Sequence, residues 1–411
     1  VIDRCWAMGE DNPILLIHDV GAGGLSNAVP EAIDHSKHGA KVELRNIPNA
    51  EFGMSPMGIW CNEAQERYVL IISAANEHLI HEICERENCP YAVIGQLSDD
   101  QQLLVKDDVF DNSVVDMPMQ MLLGKPPMMT RVAKRLVSTD VPALDLTGIS
   151  LEDAVCRVLR FPAVADKTFL IHIADRTVGG LSVRDQFIGP WQVPVSDVAI
   201  TASSFDGFTG EAMAIGERTP LAVWNAPASG RMAVGEAITN IAAAAIDNIG
   251  QIKLSANWMA AAGHRGEDAN LFDTVKAVGT ELCRELGVAI PVGKDSLSMS
   301  ARWEDQTGEH NVTAPVSLIV SAFAPVTDVR RHCTPQLRRV DSESRLLLLD
   351  LGGGANRLGG SCLAQVFKRP GGATPDLVSA GQLKNFFQAI QILKRRKLIL
   401  SYHDRSDGGL L

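Results

Sequence analysis

The 411-residue chain is 46% hydrophobic and 21% charged with a formal net charge of −11, an ordinary composition for a globular protein with room for two or three cores. That balance argues against nucleic-acid binding by overall charge, because the basic runs Lys394-Arg395-Arg396-Lys397, Arg330-Arg331 and Arg338-Arg339 read as solvated faces beside apolar stretches. No apolar run approaches the ~20 residues of a membrane span, no secretory leader is expected, and the eight cysteines form no CxxC pair, so reduced thiols in a cytoplasmic protein are expected.

In chain order, Val1–Glu10 reads as a helix already under way, and Ile14–Ile17 as a short strand. A glycine-rich turn, Val20–Gly24, leads to a helix over Asn27–Ile33 for which Ser26 is a candidate cap. Strands are expected at Lys41–Arg45, Tyr68–Ile72, Tyr91–Gly95 and Leu103–Val105, with an amphipathic helix at Glu77–Asn88. The run Met117–Pro142, with Pro118, Pro126, Pro127 and Pro142, predicts a linker. Beyond it, Leu151–Leu159 predicts a helix and Thr168–Ala174 a strand, followed by an irregular Gly/Pro-rich stretch over Asp175–Pro194. Strand Val195–Ala202 carries Asp197; a long Ala-rich helix spans Arg231–Asn248, then come strand Gln251–Ala256 and helix Glu267–Leu286, with Gly287 as its C′ residue. Strand Val288–Val292 runs into Gly293-Lys294-Asp295-Ser296, and Val316–Phe323 is a buried strand. Strands at Arg345–Leu351 and Leu398–Tyr402 and a helix at Gln382–Arg395 complete the pattern, which predicts an α/β (α+β) fold.

One octet occurs twice. HDVGAGGL at His18–Leu25 and HDRSDGGL at His403–Leu410 share His, Asp, Gly, Gly and Leu, each after an expected strand, so the chain reads as a duplication around a different middle. Both ends fall inside such units, which predicts a piece of a longer protein. An Asp fixed at a strand end beside glycines that aim N–H groups outward suits Mg²⁺ with a phosphate, although a tight turn with a capping Asp has the same sequence. Glu236 and Asn240, four apart, share a helix face and offer two oxygens to a hard cation, or are simply exposed polar residues. Glu63 and Gln65 point the same way from an extended segment, as a binding pair or as an edge-strand polar face. Gly293–Ser296 is not a Walker A loop, since the glycine spacing fails and Asp follows Lys. It presents an ammonium, a carboxylate and a hydroxyl together, or a charged turn. These residues alone reach a duplicated α/β protein with metal–phosphate sites.

Taken together, HDVGAGGLSNAVPE, NEAQERYVL, DRTVGGLSVRDQFIGPWQVPVSDVA, GEAMAIGERTP, GKDSLSM and HDRSDGGL resemble the phosphoribosylformylglycinamidine synthase (formylglycinamide ribonucleotide amidotransferase) family in its large single-chain form, over essentially the whole chain. The resemblance implies aminoimidazole ribonucleotide synthetase-like tandem A/B domains, with most of B1 at 1–125, a linker at 126–146, all of A2 at 147–325 and the start of B2 at 326–411. It implies that A1, the remaining B2 and the glutaminase domain are partners from the same longer chain. It implies an ATP-dependent C–N ligase of purine biosynthesis: ATP activates the amide oxygen of formylglycinamide ribonucleotide, and ammonia from glutamine displaces the phosphate. No catalytic residue is expected within these residues, and the chain alone is expected to be inactive.

Residue by residue, the resemblance makes Asp19 a Mg²⁺ ligand of the substrate site and Glu63, Ala64 and Gln65 its substrate-binding triplet. Ala64 departs from the Ser of shorter relatives. Lys294, Asp295 and Ser296 fall at the nucleotide, metal and substrate-contact segment, with Asp295 as the metal-side residue and Ser296 on the substrate. Lys167, Ser196, Asp197, Glu236, Asn240, Asp404 and Ser406 match an auxiliary site holding ADP with Mg²⁺, non-catalytic and structural. Asp19 and Asp404 are then two copies of one metal ligand. The resemblance also predicts that A2 exposes an apolar sheet face for A1. A nucleotide-retaining scaffold segment is the alternative reading, and other enzymes of the superfamily, such as selenophosphate synthetase or a thiamine phosphate kinase, lack the tandem duplication.

Overall fold

The computed structural model describes residues 1–410 apart from Phe52, Met129, 137–142, Asp175, Val178 and Pro370. The centre of the expected linker and two positions of the irregular Gly/Pro stretch therefore lie outside the described residues. The chain forms two compact units, Val1–Thr130 and Arg131–Leu411.

In the first unit, β1 (Ile14–Asp19) leads through the glycine turn to α1 (Leu25–Ser36) and β2 (Gly39–Glu43). β3 (Tyr68–Ile72) pairs antiparallel with β1, setting Asp19 opposite Tyr68. After α2 (Glu77–Arg86) come β4 (Gly95–Ser98), β5 (Gln102–Asp107) and β6 (Asn112–Pro118), which form with β2 a sheet in the order β4-β2-β5-β6. The alternating apolar residues of β2 and β5 bury Ala40, Val42, Leu103 and Val105 against Leu25, Val29 and Ile33 of α1. Two expectations shift here. Ser26 does not cap α1: Gly24 is the N-cap, and the Ser26 hydroxyl donates back to the Gly23 carbonyl at 2.6 Å. The strand expected at Tyr91–Gly95 begins only at Gly95.

The second unit contains α3 (Leu151–Arg160), α4 (Thr168–His172), β7 (Ala199–Ala202), β8 (Gly210–Glu217) and α5 (Ala222–Ile241). β9 (Lys253–Met259) is followed by α6 (Glu267–Val275), which continues through a π-helical stretch at Lys276–Leu282 to Leu286. Gly287 ends it in the left-handed conformation, as expected. β10 (Ala289–Ser296), the exposed hairpin β11 (Ser300–Asp305) and β12 (Gly308–Thr313), β13 (Ser317–Val326) and α7 (Ala380–Arg395) follow. The central sheet runs β10-β9-β13-β8-β7, with β10 parallel to β9 and the other pairs antiparallel.

Its inner face packs Ala212, Ala214, Leu254, Leu318, Val320 and Ala322 against the small residues of α5, and Leu383, Phe387 and Ile390 of α7 join the same core. Residues 377–390 thus belong to one compact unit with the central sheet. On the other face, Ile215 and Phe323 are exposed.

Close packing of α5 on β8 is written in glycine and alanine. A Cβ on Gly216 of β8 would lie 2.0 Å from the Ala233 carbonyl oxygen and 2.5 Å from the Ala237 nitrogen. We expect Gly216→Ala to destabilise this unit by about 1–3 kcal/mol through overpacking, read as a lower urea midpoint. An unchanged midpoint would mean that helix and strand are free to separate.

Three expected strands are absent, each for an identifiable reason. Thr168–Ala174 is instead α4, because the Asp166 carboxylate accepts the Thr168 N–H at 3.0 Å and starts a helical turn. Arg345–Leu351 and Leu398–Tyr402 have no regular structure, and Leu346 is 94% exposed. A strand needs a neighbour to satisfy its backbone. β1 finds one in β3, and neither Arg345–Leu351 nor Leu398–Tyr402 pairs with a strand among the described residues. In addition, the Ala-rich helix leaves helical geometry after Ile241 rather than at Asn248, and Asn225, with φ −153°, caps its main body by accepting the Ala228 N–H at 3.0 Å.

Candidate functional site

The two octets share one turn hydrogen bond, although Gly23 has a positive φ and its counterpart Gly408 does not. In the first, the Gly24 N–H donates to the Gly21 carbonyl at 3.0 Å; in the second, the Gly409 N–H donates to the Ser406 carbonyl at 2.9 Å, the equivalent pair. Their surroundings differ.

In the first unit, Asp19 ends β1 with its side chain 79% exposed. The Glu63 carboxylate accepts the Gly23 N–H at 2.8 Å, so the turn is fastened to the segment carrying the expected triplet. Gly24 lies so close to that segment, at φ +65°, that a Cβ there would come within 2.2 Å of the Asn62 carbonyl oxygen. The Asn62 side chain accepts the Ala64 N–H at 2.8 Å, and the Gln65 amide donates to the Glu63 carbonyl at 2.6 Å. His18 turns inward, with Nε2 2.8 Å from Glu31 and Nδ1 2.7 Å from the Asp19 carbonyl. Asp19, Glu63, Ala64 and Gln65 are thus brought to one end of the β1–β3 pair. Asp295 and Ser296 belong to the second unit.

In the second unit the turn is built into a buried acidic cluster. The Gly/Pro-rich stretch folds back along β7: the Val183 N–H donates to Ile200, the Ala202 N–H to Leu181 and the Ser196 N–H to Gln186, at 2.9 Å each. This places Asp197 just ahead of β7, rather than inside a strand, with its side chain 2% exposed. Its Oδ1 lies 2.7 Å from His403 Nδ1 and accepts the Asp404 N–H at 3.2 Å. Donor atoms of Asp197, His403 and Asp404 all fall within 4.8 Å of one another. The Ser406 hydroxyl donates to Asp404 at 2.6 Å, and the buried Tyr402 hydroxyl donates to the Thr239 carbonyl at 2.6 Å, mooring this segment on α5.

Because Gly216 lets α5 approach, Glu236 and Asn240 reach the C-terminal residues of β8. Glu236 accepts the Glu217 N–H at 2.8 Å, and the Asn240 amide donates to the Ile215 carbonyl at 3.0 Å. Burial pushes the Glu236 carboxyl up, with the charge of Asp404 adding to the effect. Burial and then the Asp197 charge do the same to Asp404, against the Ser406 hydrogen bond. The hydrogen bond to Asp197 pulls the His403 imidazole up, favouring its cationic form.

Among the described residues of this cluster and the α5 face beside it, two buried oxygens lack a hydrogen-bond partner: Asp197 Oδ2 and Asn240 Oδ1. Orphaned buried acceptors carry a desolvation penalty of about 1–3 kcal/mol each. Carboxylates raised by burial, and further by a neighbouring carboxylate's charge, beside oxygen acceptors without donors fit a hard divalent cation such as Mg²⁺.

The other expected residues are placed differently. Ser196 adjoins Asp197, but its hydroxyl donates to the Val198 carbonyl at 2.8 Å. Lys167 precedes α4, and its ammonium donates to the Ala165 carbonyl. Gly293–Ser296 is part of β10 rather than a turn, at the opposite edge of the sheet from β7, so Asp295 and Ser296 are not gathered into the Asp197 cluster. A cleft of about 620 Å³ is lined by Arg231, Glu281, Arg357 and Asp376, none of which is a cluster residue.

Sequence reasoning missed His403 as a member of the cluster and Arg218, which pairs with Asp407 of the second turn. The signals were present: His403 recurs in both octets, and Arg218 stands in GERTP beside Glu217.

Residues 166–325 match the FGAR-AT PurM_N-like domain, and residues 1–108 match the C-terminal domain of AIR synthase related proteins. Among solved structures, T. maritima PurL complexed with FGAR is similar over 96% of this chain and 54% of its own, at 17% identity and a TM-score of 0.61. T. maritima PurL complexed with ATP is similar over 81% and 50%, at 19% identity and 0.58, and PurLQS from Thermotoga maritima over 81% and 50%, at 20% and 0.59. The chain therefore spans about half the length of these structures and shares their fold. The chain thus carries one stretch similar to each of these two domain types and has the fold of the PurL structures.

Proposed function

We propose that this chain forms part of an ATP-dependent synthetase that converts formylglycinamide ribonucleotide and glutamine-derived ammonia to formylglycinamidine ribonucleotide. Within it, the cluster of Asp197, Glu236, Asn240 and Asp404 holds Mg²⁺ with a nucleotide, ADP, in a structural role. The observation that carries the reading is the pair of buried, unpartnered oxygens on Asp197 and Asn240. PurL complexes with ATP, ADP and FGAR support the ligand classes. On this reading residues 1–125 are a B1 domain, 147–325 A2 and 326–411 the start of B2, joined through 126–146.

When bound, Mg²⁺ neutralises phosphate oxygens and leaves the chemistry to positioning. Each residue then has a physical task. Asp197, Asp404, Glu236 and Asn240 would hold the cation, the last two from α5, and the Ser406 hydroxyl orients Asp404. His403 hydrogen-bonds Asp197 through Nδ1 and holds that carboxylate in place. In the first unit, the exposed Asp19 carboxylate and the Glu63-fastened turn face the substrate. Asp295 and Ser296, on β10, are not among the residues assigned to the structural nucleotide.

Denaturing the purified chain and identifying released nucleotide by chromatography tests the reading. About one ADP per chain, lost on exhaustive EDTA treatment, is expected. A chain that releases none and binds none after incubation with Mg²⁺ and ADP would overturn it.

A further inference from the structure

The two copies of the octet differ at the position before the paired glycines: Ala22 in the first, Asp407 in the second. Both turns have the same internal hydrogen bond, so the difference is not demanded by the turn itself. What differs is the fastening. The first turn is held by an acid from elsewhere, Glu63, which accepts the Gly23 N–H. The second carries its own acid, Asp407, paired with Arg218.

Arg218 is well placed to act as an anchor. It follows the last residue of β8, Glu217, whose N–H holds Glu236. Its own carbonyl accepts the Ser229 hydroxyl of α5 at 2.7 Å. One residue thereby connects the C-terminal end of the interior strand β8, the helix bearing Glu236 and Asn240, and the turn bearing Asp404. Its Nε is buried without a partner.

We propose that Arg218 is a positioning residue of the second-unit centre: through its ion pair with Asp407 it holds the Asp404-bearing turn against Glu236 and Asp197, so that the oxygens converge before a cation arrives. This rests on the reading of that cluster as a divalent-cation site. It also separates two opposed expectations. Arg218 is a positive charge near a cation site, so electrostatics alone predicts tighter cation binding when it is removed. A positioning role predicts the reverse, because an unfastened turn must be ordered on binding.

The test is Mn²⁺ binding, without nucleotide, to the full 411-residue chain by electron paramagnetic resonance, with melting in EDTA as the folding control. Asp407→Asn and Arg218→Gln are each expected to bind Mn²⁺ at least tenfold more weakly, and Arg218→Asp combined with Asp407→Arg to recover most of the loss. Tighter or unchanged binding by a folded Arg218→Gln overturns the proposal. If that variant fails to fold, Asp407→Asn on the exposed turn decides, and wild-type affinity there overturns it equally. Asp404→Asn keeps the two readings apart. If it abolishes binding while Asp407→Asn does not, only the positioning role falls; if the wild-type chain binds no Mn²⁺, the cation site falls with it.

Discussion

An Asp197→Ala chain is expected to lose its retained nucleotide and to melt roughly 5–10 °C below the wild type when both are measured in Mg²⁺ and ADP. A ligand that binds only the native state stabilises it by about 2.7 kcal/mol at a hundred times its dissociation constant. For a unit of this size, 1 kcal/mol corresponds to roughly 2–4 °C. Glu236→Ala should behave alike, since its carboxylate closes the same cluster from α5. Part of any loss is intrinsic, because Asp197 also holds His403 and the Asp404 N–H. The diagnostic quantity is therefore the shift produced by adding Mg²⁺ and ADP after EDTA treatment: several degrees in the wild type and none in either variant. Equal shifts in all three would remove Asp197 and Glu236 from the site.

Asp19→Ala is the counterpart. Its side chain is mostly in solvent and makes no comparable buried bonds, so melting should hardly move. If the proposed function holds, amidine formation by a synthetase that contains this chain should by contrast fall by orders of magnitude. If Asp19→Ala lowered melting and Asp197→Ala abolished turnover without doing so, the two sites would have been assigned in reverse. The contrast has a structural basis. One aspartate of the repeated octet ends a strand in water, and the other is enclosed by a fold-back segment, a helix and an ion-paired turn.

How far this was legible in sequence depends on the range of the interaction. β1, β3, α2, α6 and β13 carry their pattern locally, in apolar periodicity and in a terminal glycine such as Gly287, and they fold close to where expected, whereas α5 forms but begins nine residues earlier and ends seven residues earlier than its expected bounds. Thr168–Ala174 misled because its β-branched and aromatic residues outweigh one Asp166 side chain that starts a helix. Arg345–Leu351 and Leu398–Tyr402 have strand-like composition, but composition does not supply the neighbouring strand.

The site divides in the same way. The shared face of Glu236 and Asn240 follows from helical spacing alone. Their meeting with Asp404, some 160 residues away, and the meeting of Asp197 with His403 depend on tertiary packing that no local pattern encodes. Resemblance supplied those residues as a set. It did not supply His403 or Arg218, whose parts emerge only from what they touch.

Lys394 should give this protein a pH dependence of its own. α7 docks across the end of α5, where Gln391 donates to Ala242 at 3.0 Å and accepts the Ile246 N–H at 3.3 Å. The Lys394 ammonium donates to the Ala242 carbonyl at 2.9 Å and to that of Ala244. Burial pulls its pKa down to about 7; the Cys333 thiol opposes that shift, and the positive charges of Arg331 and Arg395 add to it. An unfolded lysine titrates near ~10.4. Between those values the unfolded chain binds the extra proton, so stability must rise with pH across this window and level off outside it. Three units correspond to a span on the order of 4 kcal/mol. Cys333 and Tyr402, whose pKa values burial raises, act with the opposite sign at the alkaline end. A bare wild-type curve therefore mixes the terms, and the difference between wild type and Lys394→Met isolates the ammonium. Urea unfolding of the α7-bearing unit at pH 6.5, 8 and 9.5 should show wild type gaining on the variant at each step. Parallel curves would place the ammonium in water, and α7 would then owe its docking on α5 to Gln391 and the apolar contacts of Leu383 and Phe387.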